Sequence, residues 1–258
     1  MTTKPKICIL KSDGTNCDED LFYTFEKAGG DPVYVHVNEL RNKTKHLKDF
    51  QLLALPGGFS YGDDLTSGKV LAVELISFFK NDLQTFVDKK GFVLGICNGF
   101  QTLIRTGLLP FNTLGTMHAT LTNNDSGHFE CRWVKMFVEK GSRATYLDGI
   151  DFPIDVSVNH GEGKFFTDEK TLKEIEDKNL VVFRYVDEKG NPTQNYPANP
   201  NGALHAIAGI SDASGRILGF MPHPEKFVDK TQYPNWRREK GNSGLPIFEN
   251  IVDFLKNS

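Results

Sequence analysis

Phe92-Val93-Leu94-Gly95-Ile96-Cys97-Asn98-Gly99-Phe100-Gln101 is the stretch that decides how this chain is read. Residues 92–96 form a short apolar run, and helical character resumes over 100–106. A strand that turns directly into a helix is the building unit of an α/β sheet. The same grammar repeats upstream. Residues 6–10 read as a strand followed by a turn through Ser12-Asp13-Gly14. A helix carrying Leu21, Phe22 and Phe25 then ends at Gly29-Gly30, which suits a left-handed C-cap. Residues 33–37 and 52–55 read as further strands, and 69–79 and 82–88 as helices. Short apolar runs alternating with helices predict parallel strands buried on both faces.

The second half has a different texture. Residues 132–138, 154–158, 181–186, 206–210 and 217–220 are strand candidates separated by polar turns. They predict a β-rich continuation of the same sheet, with antiparallel strands. Leu245, Phe248, Ile251 and Leu255 recur at helical spacing, with Pro246 fitting the first turn. The expected fold is therefore α/β in three layers: a central, mostly parallel sheet with helices on both faces and additional antiparallel strands. With no repeat and no linker, residues 1–258 are expected to form a single domain.

Composition narrows the classes. The 258 residues are 39% hydrophobic and 24% charged, near the globular norm. Thirty basic and 33 acidic residues leave a net charge of −3, which offers no broad basic field for nucleic acid. No apolar run approaches the ~20 residues that span a bilayer. The start, Met1 to Lys6, leads into too short an apolar run for a signal-peptide core. Four cysteines in so long a chain are not a disulfide framework. The expectation is a cytoplasmic protein with no membrane or nucleic-acid partner.

The chemistry centres on Cys97. A nucleophile at a strand-to-helix corner sits in a tight turn that pushes its side chain into a cleft. Gly95 and Gly99 leave room there, and a helix start supplies N–H groups and a positive dipole end that favour an anionic sulfur. The competing reading is a structural cysteine beside packing glycines. A general base is supplied by His223 in Phe220-Met221-Pro222-His223-Pro224-Glu225, where two prolines stiffen the loop that presents the imidazole. Glu225 is placed to accept a hydrogen bond from one ring nitrogen. Leu55-Pro56-Gly57-Gly58-Phe59-Ser60-Tyr61-Gly62-Asp63-Asp64 follows another strand. Its Gly-Gly turn is read as aiming the Phe59 N–H into the cleft, where with the Asn98 N–H it forms an oxyanion hole.

Together these segments resemble the class I (triad) glutamine amidotransferases, whose fold is flavodoxin-like. Within them they resemble the glutaminase subunits of phosphoribosylformylglycinamidine synthases. Phe129-Glu130-Cys131-Arg132-Trp133-Val134, His160-Gly161-Glu162-Gly163, Asn199-Pro200-Asn201-Gly202 and Ile207-Ala208-Gly209-Ile210 extend the likeness over nearly the whole chain. The resemblance implies Cys97 as nucleophile, His223 as base and Glu225 as its partner. It implies L-glutamine as substrate, held with the help of Gly57, Gly58 and Gln101. It also implies a large synthetase subunit and a small accessory subunit as partners. ATP and Mg would be used by the synthetase, with no cofactor bound by this chain. One departure stands out: the family pattern follows Gly-Asp with Tyr-Leu-Arg, whereas this chain has Asp64-Leu65-Thr66.

Other residues invite simpler readings. His118, His128 and Cys131 lack a recognised zinc spacing, so no metal site is expected. Cys8 reads as packing, and Cys17 has no cysteine partner nearby in sequence. His160 reads either as a second base or as pocket wall, and Asp63-Asp64 as a solvated loop. A cysteine hydrolase or peptidase on the same kind of strand corner is the alternative function.

Overall fold

The computed structural model describes residues 4–257. Its elements run β1 (Lys6–Lys11), α1 (Asp18–Lys27), β2 (Asp31–His36), α2 (Val37–Arg41), β3 (Leu52–Leu55), α3 (Lys69–Asp88), β4 (Phe92–Ile96) and α4 (Asn98–Thr106) in the first part. The second part holds β5 (Thr120–Thr122), β6 (Glu130–Val138), β7 (Ile154–His160), β8 (Lys164–Phe166), α5 (Glu169–Asp177), β9 (Val181–Val186), β10 (Ile207–Ser211), β11 (Ile217–Phe220) and α6 (Leu245–Lys256).

Nine strands join one mixed sheet in the order β2-β1-β3-β4-β11-β10-β9-β6-β7. The pairings from β2 to β11 are parallel, and those from β11 to β7 are antiparallel. β5 and β8 form a separate antiparallel ribbon. Every residue of β3, β4 and β11 is buried, as expected for strands covered on both faces. Helix α1 packs against α6, with Phe25 meeting Phe248 edge-on at 5.3 Å, and α3 packs against α4.

Several elements differ from the sequence-based expectation, among them α2, whose first residue Val37 is read from sequence as the end of a strand. Residues 69–88 form one helix, because Leu71, Leu75, Phe79, Leu83 and Phe86 keep a continuous buried stripe while Lys80 and Asn81 lie on the exposed side. Helix α5 was not legible because it buries only Leu172 and Ile175. The β5–β8 ribbon pairs three-residue strands that are 42 or more residues apart, too short to carry a pattern.

The register explains how the sheet prepares a site. Leu55 lies beside Gly95, and Ile96 beside Phe220, so β3, β4 and β11 end at one level. Open α/β sheets bind ligands beyond the carboxyl ends of their strands. Gly99 lets α4 come close to that edge. A β-carbon there would fall 2.0 Å from the Leu55 carbonyl oxygen.

Candidate active site

Cys97 caps the start of α4 with φ 52° and ψ −106°, a left-handed backbone that a non-glycine residue adopts at a cost of roughly 1–3 kcal/mol. Its N–H donates to the Phe220 carbonyl at 2.9 Å, which ties the corner to the end of β11. The side chain is buried, and its thiol donates to the Asn159 carbonyl on β7 at 3.8 Å.

His223 is placed from two directions. It follows β11 directly, and its N–H donates to the Ser157 carbonyl of β7 at 2.8 Å. Its Nδ1 is hydrogen-bonded to Glu225 Oε1 at 2.6 Å, with both residues about 1% exposed. That bond leaves Nε2 buried with no hydrogen-bond partner. Burial opposes the imidazolium, but the charge of Glu225, helped by the two thiols of Cys97 and Cys17, overrides it and holds His223 well above the ordinary histidine range. An imidazole with that preference can take and hold a proton from a neighbouring thiol.

Gly57 marks the convergence. A β-carbon on it would lie 2.6 Å from His223 Cε1, 3.3 Å from Cys17 Sγ and 3.4 Å from Cys97 Cβ. The structure thus brings Gly57, Cys97, His223 and Glu225 together, one cluster from the ends of three adjacent strands.

The oxyanion donors are arranged differently from expectation. Asn98 is the first residue of α4, so its N–H has no acceptor within the helix. The Phe59 N–H, in contrast, donates to the Gly14 carbonyl at 2.9 Å and is not available to a substrate. The reason is the neighbouring loop after β1. Asn16 and Cys17 N–H groups donate to the Gly57 carbonyl, Thr15 bridges to Gly58, and the Tyr61 N–H donates to the Asp13 carbonyl at 2.7 Å. Gly58, at φ +136°, sits within that bridge.

Gln101 is buried, and both ends of its amide are engaged. Nε2 donates to the Glu162 carbonyl at 2.6 Å, and Oε1 accepts from Asn98 Nδ2 at 3.2 Å. It braces the pocket wall. Asp63 is not merely solvated: it accepts from the Gly68 N–H at 3.2 Å and from Asn98 Nδ2 at 2.9 Å. Ser60 Oγ donates to Asn98 Oδ1 at 2.6 Å, completing a link between the glycine loop and α4. Asp64, Leu65 and Thr66 are exposed.

His160 resolves as wall and not as base. Nδ1 donates to Asn124 Oδ1 at 3.1 Å, and Nε2 accepts from Asn201 Nδ2 at 3.5 Å. Burial, aided by repulsion from His223, pushes its pKa down to about 4, so it stays neutral near pH 7. Cys131 lies one register step away, its exposed thiol donating to Asn159 Oδ1 at 3.1 Å. Cys17 is the residue that sequence reasoning missed. It sits before α1, 80 positions from Cys97, and only the adjacency of β1 and β3 carries it to His223.

Comparison with known proteins places the chain in a family. The family model described as the CobB/CobQ-like glutamine amidotransferase domain matches residues 4–255. The chain is 44% identical to phosphoribosylformylglycinamidine synthase subunit PurQ of Dehalococcoides mccartyi, over 98% of this chain and 99% of that protein. It is 39% identical to the PurQ subunit of Methanococcus maripaludis over 97% of each. Among solved structures, a chain from PurLQS of Thermotoga maritima superposes with a TM-score of 0.74 at 30% identity, covering 98% of this chain and all of that one.

Proposed function

We infer the mechanism from one premise: the chain belongs to the CobB/CobQ-like glutamine amidotransferase domain family. It is a PurQ-type glutaminase subunit of phosphoribosylformylglycinamidine synthase, acting in purine biosynthesis. The residue roles below are our proposal, and the observation that carries them is the convergence of Cys97, Gly57 and the His223–Glu225 pair at three strand ends.

Cys97 gives its proton to His223, and the sulfur attacks the side-chain amide carbon of L-glutamine. The Asn98 N–H holds the developing oxyanion. The imidazolium, oriented by Glu225, protonates the departing nitrogen, which leaves as ammonia. The same imidazole then activates water to hydrolyse the glutamyl thioester, so glutamine and water become glutamate and ammonia. Gly57 and Gly58 give the substrate room, and Gln101 holds the wall against which it lies.

Ammonia must stay unprotonated to act as a nucleophile, so it passes to a docked partner. The similar Thermotoga chain belongs to a PurLQS structure. PurL and PurS counterparts are the partners we propose: a large synthetase that uses ATP and Mg to convert formylglycinamide ribonucleotide to formylglycinamidine ribonucleotide, and a small accessory subunit. This chain itself binds no cofactor. Docking has a surface to use: Phe59 and Phe129 stack at 6.3 Å and are 44% and 52% exposed. Pressure on Phe59 releases its N–H from Gly14 and completes the oxyanion hole. Among the described residues no helix is long and apolar enough to cross a membrane. The four cysteines are free, and the cytoplasm is the compartment that keeps them so.

The test is the assembled synthase. Cys97→Ala is expected to abolish glutamine-supported amidination and to leave ammonia-supported amidination intact. A glutamine-like electrophile should label Cys97 in the wild type, with free glutamine protecting it. Glutamine-supported turnover by Cys97→Ala refutes the assignment.

A further inference from the structure

We propose that a cleft at the amino-terminal edge of the sheet binds a chain of linked phosphates, either inorganic tripolyphosphate or the triphosphate tail of a nucleotide. Gln51, Gly91 and Arg216 immediately precede β3, β4 and β11, and all three line this cleft of about 780 Å³. Gly57, Cys97 and His223 lie just beyond the other ends of the same strands, so the cleft and the proposed reaction centre occupy opposite edges of one sheet. The volume is that of a small-molecule site.

The charge in the lining is one-sided. Lys43, Lys45 and Lys48 come from the segment after α2, Lys89 and Lys90 from the end of α3, and Arg216 from the turn before β11. Among the described residues Asp82 is the only carboxylate in the lining. Six cations against that one anion leave +5, with His46 counted neutral, in a chain of net charge −3. Soluble surfaces ordinarily intersperse the two signs. Among the described residues, none of the five lysine ammonium groups makes a hydrogen bond or ion pair. Neighbouring acids do not offset them: Asp88 accepts from Gln84 Nε2 at 2.9 Å, and neither it nor Asp49 lines the cleft. Arg216 is braced, with Nη1 donating to the Lys90 carbonyl at 2.9 Å and the guanidinium 4.6 Å from the centre of the Phe254 ring. The C-terminal dipole of α3 fades within a turn, so it accounts for Lys89 and Lys90 but not for Lys45, Lys48 or Arg216.

These features select the ligand. Leu47, Phe50, Phe79 and Phe86 are buried and give the cleft low-dielectric walls, which focus the field of its cations. A lysine ammonium is a compact point charge with three donors, suited to phosphate oxygens that approach from different directions. A linked chain of phosphates puts several anionic groups into one small ligand, which matches cations arriving from three segments.

The experiment titrates the full chain with sodium tripolyphosphate by calorimetry at an ionic strength of about 0.15 M, where a screening length of about 8 Å suppresses diffuse attraction. One tripolyphosphate per chain is expected, with inorganic phosphate weaker by about tenfold or more. Lys45→Gln combined with Lys89→Gln removes two charge-assisted donors, so affinity should fall about tenfold or more. Lys230→Gln, outside the cleft, should change nothing. In the wild type, tripolyphosphate should protect Lys45 and Lys89 from acetylation and leave Lys240 reactive, a readout that needs no variant to fold. ATP separates the two sources: displacement of tripolyphosphate by ATP admits nucleotides, and failure to displace it restricts the site to the inorganic chain. Absence of saturable binding, inorganic phosphate as tight as tripolyphosphate, undiminished affinity in the double variant, or unprotected Lys45 and Lys89 overturns the site. So does a short RNA that protects the same lysines and that tripolyphosphate does not displace. None of these readouts involves glutamine, so the outcome is independent of the roles given to Cys97 and His223.

Discussion

The Phe59 N–H donates to the Gly14 carbonyl at 2.9 Å, so a backbone donor beside the nucleophile is turned inward to the loop after β1. With that donor engaged, the Asn98 N–H at the start of α4 is what remains of the pair expected to hold a tetrahedral oxyanion. Loss of one such donor typically lowers turnover by ~10²–10³-fold. The isolated chain is therefore expected to hydrolyse glutamine slower than the assembled synthase by about that factor, mostly in kcat. Steady-state glutaminase assays with and without the partner subunits check this, and equal rates would falsify the withheld-donor account.

Glu225 holds His223 in its protonated preference through a buried 2.6 Å bond. The glutamine variant keeps the shape but removes the charge that raises the imidazole. Glu225→Gln should lose about 10²- to 10⁴-fold in kcat. The alkaline limb of its pH–rate profile should move to lower pH, because the imidazolium now loses its proton earlier. The linked stability has the same sign: it is present below the ordinary histidine pKa and fades as pH rises through the raised one. A profile whose alkaline limb stays where the wild type has it contradicts this role for Glu225.

Gly57 leaves space that the site uses. Its missing β-carbon would fall 2.6 Å from His223 Cε1. Gly57→Ala should displace the imidazole and cut turnover by more than about 10²-fold, as misplacement of about 1 Å does, while the circular dichroism of the sheet is retained. Wild-type turnover in a folded Gly57→Ala protein would show that the imidazole has room to spare.

His160 is neutral because it is buried. Its folded pKa of about 4 lies below the unfolded value of roughly 6.5, so the unfolded chain binds the extra proton between them. Its contribution is intact above the unfolded pKa and is lost as pH falls through that window to about 4, amounting to roughly 3 kcal/mol. Urea melts at pH 7 and pH 4.5 should show a smaller drop for His160→Gln than for the wild type. Equal drops would place the acid sensitivity in other groups.

Much of this was legible in one dimension because it is local. Continuous apolar runs marked β3, β4 and β11, which are buried throughout, and helical periodicity marked α6, which buries one face. Turn chemistry marked Cys97 between Gly95 and Gly99, and His223 between two prolines, since a sharp corner and a stiff loop demand those neighbours. Short or weakly amphipathic pieces such as α5 and the β5–β8 ribbon carry too few buried residues to leave a pattern.

Residue order alone thus determined the strand–corner–helix unit and membership of the family, and it singled out Cys97, His223 and Glu225 as the candidates for nucleophile, base and orienting carboxylate. Only the tertiary structure decided that Phe59 turns its N–H to Gly14, that His160 is neutral wall, and that Cys17 stands beside His223. The reason is strand order. β1 lies next to β3, and β4 next to β11, so loops far apart in the chain meet at one edge. Hydrogen-bond partners and burial there are properties of that meeting, and no single segment encodes them.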